Sequence, residues 1–393
     1  MSSTIQKILQ LCERQCFIQP VKDSLDLVEY FKFGFAGELL KNNVHQEWML
    51  GVVINADENV FPFHSCKSAS RDIIKDFSEP FEYVKKLNNA QLPFGITETR
   101  QDVRDTIDSS LQEEMRYFYP KKHTTLLSCI FAKPGNAMQR FYQWQRQRKM
   151  WWRKLNSIVR IRSEHVIPYI KIILLLLLQF SASPGRFSLT DIQNMPEAQL
   201  VEIKAEFPWG SQTVETIRYF GAKPFENSGD EHKTIFEVKD GRKKVLPHII
   251  ESVISLDTSV MVFVCDAFDE PLFLDSPRQV TRFHRKLAPY KVSFSASSSS
   301  ATVGEELSEL SLFLTKQLRN AGISTLLLPD VARKSLESQF ARNDELGIPY
   351  TIVLNDATLR NGIVGMRSRD TTLKEQVHVY ELKTYMEKLL KNY

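Results

Sequence analysis

Apolar positions near the C-terminus repeat at a spacing of two, then of about 3.6, then of two again. Tyr290 to Phe294 reads as a strand and Ser295 to Ser300 as a polar loop. Leu307, Leu310, Leu314 and Leu318 share one helix face, and Gly322 supplies a stop. Thr325 to Leu328 is a short buried strand. Leu336 and Phe340 lie on a further helix, closed by Gly347 and then Pro349. Tyr350 to Leu354, Ile363 to Ser368 and Gln376 to Val379 give three more strands, and Leu382, Met386 and Leu389 mark a closing helix. The pattern predicts a mixed five-stranded sheet with helices on its faces over residues 288–393.

Upstream, residues 25–155 alternate helical and strand-like stretches. Phe187 to Leu287 is strand-rich and punctuated by the turn signals Pro208-Trp209-Gly210 and Asp240-Gly241. Residues 1–24 form an N-terminal segment. A helix there, with Ile5, Leu9 and Leu11 between Lys7 and Arg14, is weakly amphipathic and makes a weak match to an Arg-rich, acid-poor mitochondrial presequence. Between Trp48 and Gly95 the pattern leaves room for one modest helix near Ala69 to Leu87 and for no clear hairpin.

One stretch is anomalous. Val166 to Ala182 has a dense apolar run only from Ile172 to Leu178, too short for a spanning helix of about 20 residues, so no membrane association is expected. It sits inside Asn156 to Gln179, a 24-residue insert. A pyrimidine-rich tract read in frame encodes Leu and Ile, and a terminal CAG encodes Gln, so a translated intron and a true insertion are the two readings. Sequencing the mature transcript over codons 156–179 separates them.

Composition narrows the class. The 393 residues suit two or three domains; 42% hydrophobic and 25% charged residues describe a folded chain. A net charge of +4 neither identifies nor opposes a nucleic-acid binder. Five cysteines make no disulfide scaffold, and Cys12 and Cys16 lack zinc-like partners. The eight histidines are scattered, no nucleophile–base set or paired-carboxylate motif stands out, and Gly34 and Gly37 lack the Lys-Ser/Thr ending of a phosphate loop. No catalytic residue, metal site or cofactor is expected.

Several motifs carry a resemblance. Asp344-Glu345-Leu346-Gly347-Ile348-Pro349, Asn361-Gly362 and Arg367-Ser368-Arg369-Asp370-Thr371 resemble the anticodon-binding domain of class II aminoacyl-tRNA synthetases, glycyl type in particular. Phe33-Gly34-Phe35-Ala36-Gly37 with Leu40-Lys41-Asn42-Asn43 and Trp48, and Pro247 to Glu251 at the opening of motif 3, are similar to the same enzymes. The resemblance implies an α+β class II synthetase-like body, an antiparallel sheet with helices over residues 25–287, followed by an α/β anticodon-binding-like domain over 288–393. Motif 3 in active enzymes continues to a Gly and then an Arg that holds the ATP phosphates. By register Ser255 stands for that Gly and Thr258 for that Arg. A hydroxyl cannot replace a bidentate guanidinium on a triphosphate. No convincing motif 2 Arg with its acidic partner is found, so adenylate formation is expected to be lost.

The stretch Gln145 to Lys154, Phe207-Pro208-Trp209-Gly210, Asp240 to Pro247 and Arg367 to Thr372 resemble the accessory subunits of mitochondrial DNA polymerase gamma, where the Trp-Trp-Arg-Lys motif is followed closely by a stretch like Ser181 to Pro184. That family implies a non-catalytic processivity factor of the mitochondrial matrix and nucleoid, which binds the polymerase's catalytic subunit and primer–template duplex DNA. With no dimerising hairpin in view, one accessory copy per catalytic subunit is expected. Candidate DNA contacts are Arg146, Arg148, Lys149, Arg153 and Lys154, interleaved with Trp151 and Trp152; Arg242, Lys243 and Lys244 at a hairpin tip; and Arg282, Arg285 and Lys286, which share a face if helical. The bland alternatives are buried tryptophans with a solvated charged face, and an ordinary soluble hairpin end. Candidate contacts to the catalytic subunit are Gly362, Arg367, Arg369 and Asp370, against internal pairing of Asp370 with one arginine. The rival functions are a divergent glycyl-tRNA synthetase and a tRNA-binding protein.

Overall fold

The computed structural model describes residues 4–64, 72–104, 111–156, 186–226, 228–240, 243–273, 276–329 and 334–391. Of the anomalous insert only Asn156 is among them; Arg242 and Gly241 also lie outside the described residues. Among those described, no helix is long and apolar enough to cross a membrane.

Helix α1 (Thr4–Arg14) leads into the antiparallel pair β1 (Ile18–Lys22) and β2 (Val28–Phe33), then α2 (Phe35–Met49), β3 (Val60–Phe63) and α3 (Ile73–Leu87). The body continues with β4 (Phe94–Val103), β5 (Lys122–Ala132), α4 (Ala137–Lys154), β6 (Phe187–Leu189), β7 (Gln199–Phe207), β8 (Gly210–Gly221) and α5 (Asp230–Phe236). A small hairpin, β9 (Val238–Asp240) and β10 (Lys243–Val245), precedes β11 (His248–Ser255) and α6 (Leu256–Ala267). The large sheet has eight strands; seven run in the order β3-β4-β5-β11-β8-β7-β6, antiparallel except for the β3–β4 pair, with Gln193–Asn194 added on β7.

Alternation along β5 and β11 fixes what each face touches. Leu127, Cys129 and Phe131 join Phe94, Ile96 and Ile249 beneath Phe77 and Phe81 of α3 and Phe236 of α5. Leu126 and Ile130 join Ile250 and Ile254 in the larger core, shared with α1, α2, α4 and α6. Every residue of α6 is buried. A helix without a polar face needs protein on all sides, and here the sheet and the neighbouring helices supply it.

The terminal module contains β12 (Val292–Ser297), α7 (Ala301–Asn320), β13 (Thr325–Leu326), α8 (Leu336–Glu345), β14 (Tyr350–Asn355), α9 (Asp356–Asn361), β15 (Ile363–Ser368), β16 (Lys374–His378) and α10 (Val379–Lys391). Its five strands run β13-β12-β14-β15-β16, parallel in the first three and antiparallel beyond, around a core of its own that includes Phe294, Leu307, Ile352 and Met386.

Four expectations need correction. The first helix is strongly one-sided: Ile5, Ile8, Leu11 and Cys12 are all buried in the body's core. The boundary expected after residue 24 falls inside the β1–β2 hairpin, so that segment is part of the body. Ser295 to Ser297 is strand and not loop, because Ser295 to Ser297 pair with Val353 to Asn355 and the Gln339 side chain bonds both backbone groups of Ala296; Ser300 then caps α7 through Val303 N–H. Gly362 does not join two strands. It ends α9 at φ +68°, where an added Cβ would lie 2.7 Å from the His378 ring.

Candidate nucleic-acid interface and the site of motif 3

The β11–α6 junction is where the sequence puts the end of motif 3. Ser255 caps α6, its Oγ accepting from Thr258 N–H at 3.2 Å. Thr258 is 3% exposed, and its hydroxyl donates to the Phe118 carbonyl at 2.8 Å. Next to it, Asp257 accepts from Thr124 N–H at 2.6 Å and pairs with Lys41 at 3.1 Å. Arg104 donates to the Pro120 carbonyl and lies over the Tyr119 ring, 5.2 Å from its centroid; burial pushes its pKa down. Burial, then the charge of Arg104, lowers the His123 pKa and so favours the neutral imidazole. The polar groups here satisfy one another, and Thr258 presents no cation to a phosphate.

The sheet's other face holds charge that is also internally paired. Arg100 meets Asp102 at 3.1 Å, Asp76 at 3.2 Å and Glu98 at 3.5 Å, and Arg218 meets Glu251 at 2.7 Å. Burial pushes the thiols of Cys12 (to about 12), Cys129 and Cys265 up, away from the reactive thiolate. No cluster able to hold a metal ion occurs among the described residues.

The basic helix α4 divides cleanly. Arg148 points inward: it is 2% exposed and its Nε donates to Glu215 at 2.8 Å. Trp152 Nε1 donates to the other oxygen of the same carboxylate at 2.7 Å, and the Ser252 hydroxyl donates to the oxygen that Arg148 uses. Trp151, half-buried, donates to the Glu47 carbonyl at 3.0 Å. Arg148 is therefore withdrawn as a DNA contact, and the adjacent tryptophans are packed and not stacking platforms. Arg146, Lys149 and Arg153 fall three and four apart on the opposite face with exposed Met150, and Lys154 follows in the last turn, exposed. Among the described residues none of these four cations makes an ion pair.

Arg282, Arg285 and Lys286 are not on a helix. They occupy an irregular turn after the short strand Val280–Thr281, because Arg282 is drawn inward between Asp269 at 2.8 Å and Asp370 at 3.4 Å. Arg282 is accordingly withdrawn too. Arg285 donates to the Leu389 carbonyl at 3.1 Å and Lys286 lies 3.5 Å from Glu47. What the sequence hid is that this turn lies near the end of α4, with Glu47 between them: its carbonyl takes Trp151 and its carboxylate lies near Lys286. Burial, then the charges of Arg285, Lys286, Lys291 and Lys154, push the His284 imidazole down to about 3. Lys291 donates to the carbonyls of Lys286 and Ala288, both at 2.8 Å, and burial pushes its pKa down to about 7. Two tracts more than a hundred residues apart thus form one positive region.

At the hairpin, Asp240 pairs in register with Lys243. Lys243 is exposed without an ion pair among the described residues, whereas Lys244 is held by Glu237 at 3.0 Å. In the terminal module Arg367 and Arg369 are each 4% exposed. Arg367 grips Asp344 with two bonds of 2.8 and 2.9 Å, and Asp370 is shared by Arg369 and Arg282. These charges are internal, which removes Arg367 and Arg369 as partner contacts. Gly362 remains beside exposed apolar groups: Leu359, Ile363 and Tyr380, the last stacked on His378. Leu312 and Phe313 are a second exposed apolar pair, on α7.

Comparison with known proteins bears on both lobes. Residues 300–389 match the model of the anticodon binding domain. DNA polymerase subunit gamma-2, mitochondrial, of Xenopus laevis is 28% identical over 78% of this chain and 61% of its own length; DNA polymerase subunit gamma-2 of Bos taurus is 27% identical over 78% and 59%. The chain thus spans about three fifths of these relatives' length. Glycine–tRNA ligase of Lysinibacillus sphaericus is 25% identical over 79% of this chain and 60% of its own. Prolyl-tRNA synthetase from Cryptosporidium parvum, solved with L-proline and AMP, superposes with a TM-score of 0.65 at 10% identity, over all of this chain and 76% of that one. The chain therefore has a class II synthetase-like fold with a C-terminal anticodon-binding domain, and its sequence is similar to DNA polymerase gamma subunit 2 and, more weakly, to the glycine–tRNA ligases.

Proposed function

We propose that this chain is a non-catalytic accessory subunit of mitochondrial DNA polymerase gamma, one copy per catalytic subunit, acting in the matrix nucleoid to raise processivity. The observation that carries the reading is Thr258: at the position that resembles the phosphate-gripping arginine stands a buried hydroxyl already bonded to Phe118. A nucleotide pocket needs a charged fork there, and an accessory subunit does not. Arg146, Lys149, Arg153 and Lys154, with Arg285, Lys286 and Lys243, are the proposed contacts to duplex phosphates, and Lys244 and Arg242, the sequence neighbours of Lys243, are proposed with them. They neutralise charge without reading bases. The terminal module is the proposed dock for the catalytic subunit, through the apolar surface around Gly362 and the Leu312–Phe313 pair. Binding polymerase and DNA at once makes re-engagement intramolecular, so the polymerase extends further per encounter.

Primer extension with trap DNA is the test. Products several-fold longer with this protein than without it are expected; equal lengths overturn the reading. The similarity to glycine–tRNA ligases favours one alternative, an enzyme or tRNA binder. Glycine-dependent ATP–pyrophosphate exchange by the purified chain would select it.

A further inference from the structure

Three of the four arginines withdrawn from the two proposed interfaces, Arg282, Arg367 and Arg369, gather at the joint between body and terminal module, where they form two lines of ion pairs. Arg369 Nη1 donates to the carbonyl of Gly347 at 2.7 Å and, across the joint, to that of Thr281 at 3.1 Å. Its Nη2 donates to the Phe283 carbonyl at 2.9 Å, and its Nε holds Asp370 at 2.9 Å. Asp370 receives Arg282 from the body, which continues to Asp269. Beside this runs a second line: Arg367 grips Asp344, Asp344 also meets Arg278 at 3.0 Å, and Arg278 reaches Glu337 at 2.6 Å.

Packing closes the same seam. Leu346 and Ile348 of the module sit in the body's core with Phe283 and Leu287. Gly347 lies at φ +72°, where a Cβ would stand 2.5 Å from the Phe283 ring, so only glycine allows the approach. Thr281 donates its hydroxyl to the Glu345 carbonyl at 2.7 Å, and the Glu345 carboxylate is held by Arg14 at the end of the first helix and by Gln15 just after it. The module has its own core, so this joint is more than the module needs to fold. A rigid joint has a definite consequence: it keeps the positive region at Lys154, Arg285 and Lys286 at a fixed position relative to the module's outer surface. A loose tether would spread the two over many separations and lower the effective concentration of one partner at the other.

We propose that the Arg369–Asp370–Arg282–Asp269 chain is a latch whose residues position the module on the body, and that coupling between DNA and the catalytic subunit depends on this fixed placement and not on contact by the latch residues themselves. The inference rests on the accessory-subunit reading above. Arg282→Met combined with Asp370→Asn removes the cross-joint ion pair from both sides, with Asp370→Asn alone as a milder variant should the pair fail to fold. Hydrogen exchange on the full chain at residues 278–288 and 344–349 should speed up by about tenfold or more while the amides of β5 and β14 keep their protection. Affinity for the catalytic subunit alone and for primer–template DNA alone should stay within about twofold, while product length with trap DNA falls by about threefold or more. Unchanged exchange would overturn the latch. Full-length products from a loosened joint, or affinity for the catalytic subunit falling in step with product length, would overturn the positioning role. Should the parent chain itself fail to lengthen products, the accessory-subunit reading falls, and the exchange experiment still decides whether the latch holds the joint.

Discussion

Helix α4 and the joint between the lobes are both rich in arginine, and they use it in opposite ways. On α4 there is no acidic residue at all; Arg140 near its start meets Glu58 at 2.6 Å, and Arg148 meets Glu215 because its place on the helix turns it into the sheet, whereas Arg146, Lys149, Arg153 and Lys154 meet no carboxylate among the described residues. Arg146, two residues before Arg148, faces out. At the joint, Asp269, Asp344 and Asp370 stand among Arg278, Arg282, Arg367 and Arg369, and every arginine is drawn in. A basic tract offers most of its charge to phosphates where the fold leaves it without buried carboxylates. Composition cannot report that, since the deciding carboxylates are distant in sequence.

The comparison can be broken most sharply at Arg148. Arg148→Met leaves Glu215 buried with only Trp152 and Ser252 as donors, and should destabilise the chain by about 3–5 kcal/mol in urea unfolding, whereas Arg148→Met with Glu215→Gln should recover most of that loss. A cost near that of a surface change would mean Arg148 is not internal. Changing Arg146, Lys149, Arg153 and Lys154 together to Ala should leave stability nearly unaltered but lower the log–log salt slope of DNA binding by about 3.6, at about 0.9 per phosphate contact. An unaltered slope would remove α4 from the DNA surface.

The smallest effect concerns pH. Burial lowers the Lys291 pKa to about 7, below its value in an unfolded chain, so between pH 7 and about 10.4 the unfolded state binds the extra proton and stability rises with pH. Lys291→Met should lose that rise, at most about 1.4 kcal/mol per pH unit. Equal slopes for the two proteins would show that the ammonium is solvated. His284, pushed down to about 3, works at the other end: its contribution is present above about pH 6.5 and is lost as pH falls toward 3.

Local chemistry was legible in the sequence. Gly322 and Gly347, both at positive φ, end their helices, and the predicted strand over Ile363 to Ser368 has those bounds. The five-stranded sheet followed from periodicity, and the class II fold from motifs. The short helix α9 was missed because its signal is a capping box on Asn355 and Thr358, not an apolar period. The polar run at Ser295 was misread because burial of serine depends on a partner strand that composition does not reveal. For the candidate site the outward half of α4 was legible. The fate of Arg282 and Arg369 was not: Asp370 lies 88 residues beyond Arg282, and neighbouring residues give no hint of that meeting.

The all-buried helix α6 limits which side chains position 258 can accept. An arginine at position 258 would drive a long, charged side chain into a space filled by Thr258 and the Phe118 carbonyl. One codon change cannot reopen such a place; the segment carrying Phe118 would have to retreat first. Close packing thus closes position 258 to an arginine by volume alone, before charge is considered.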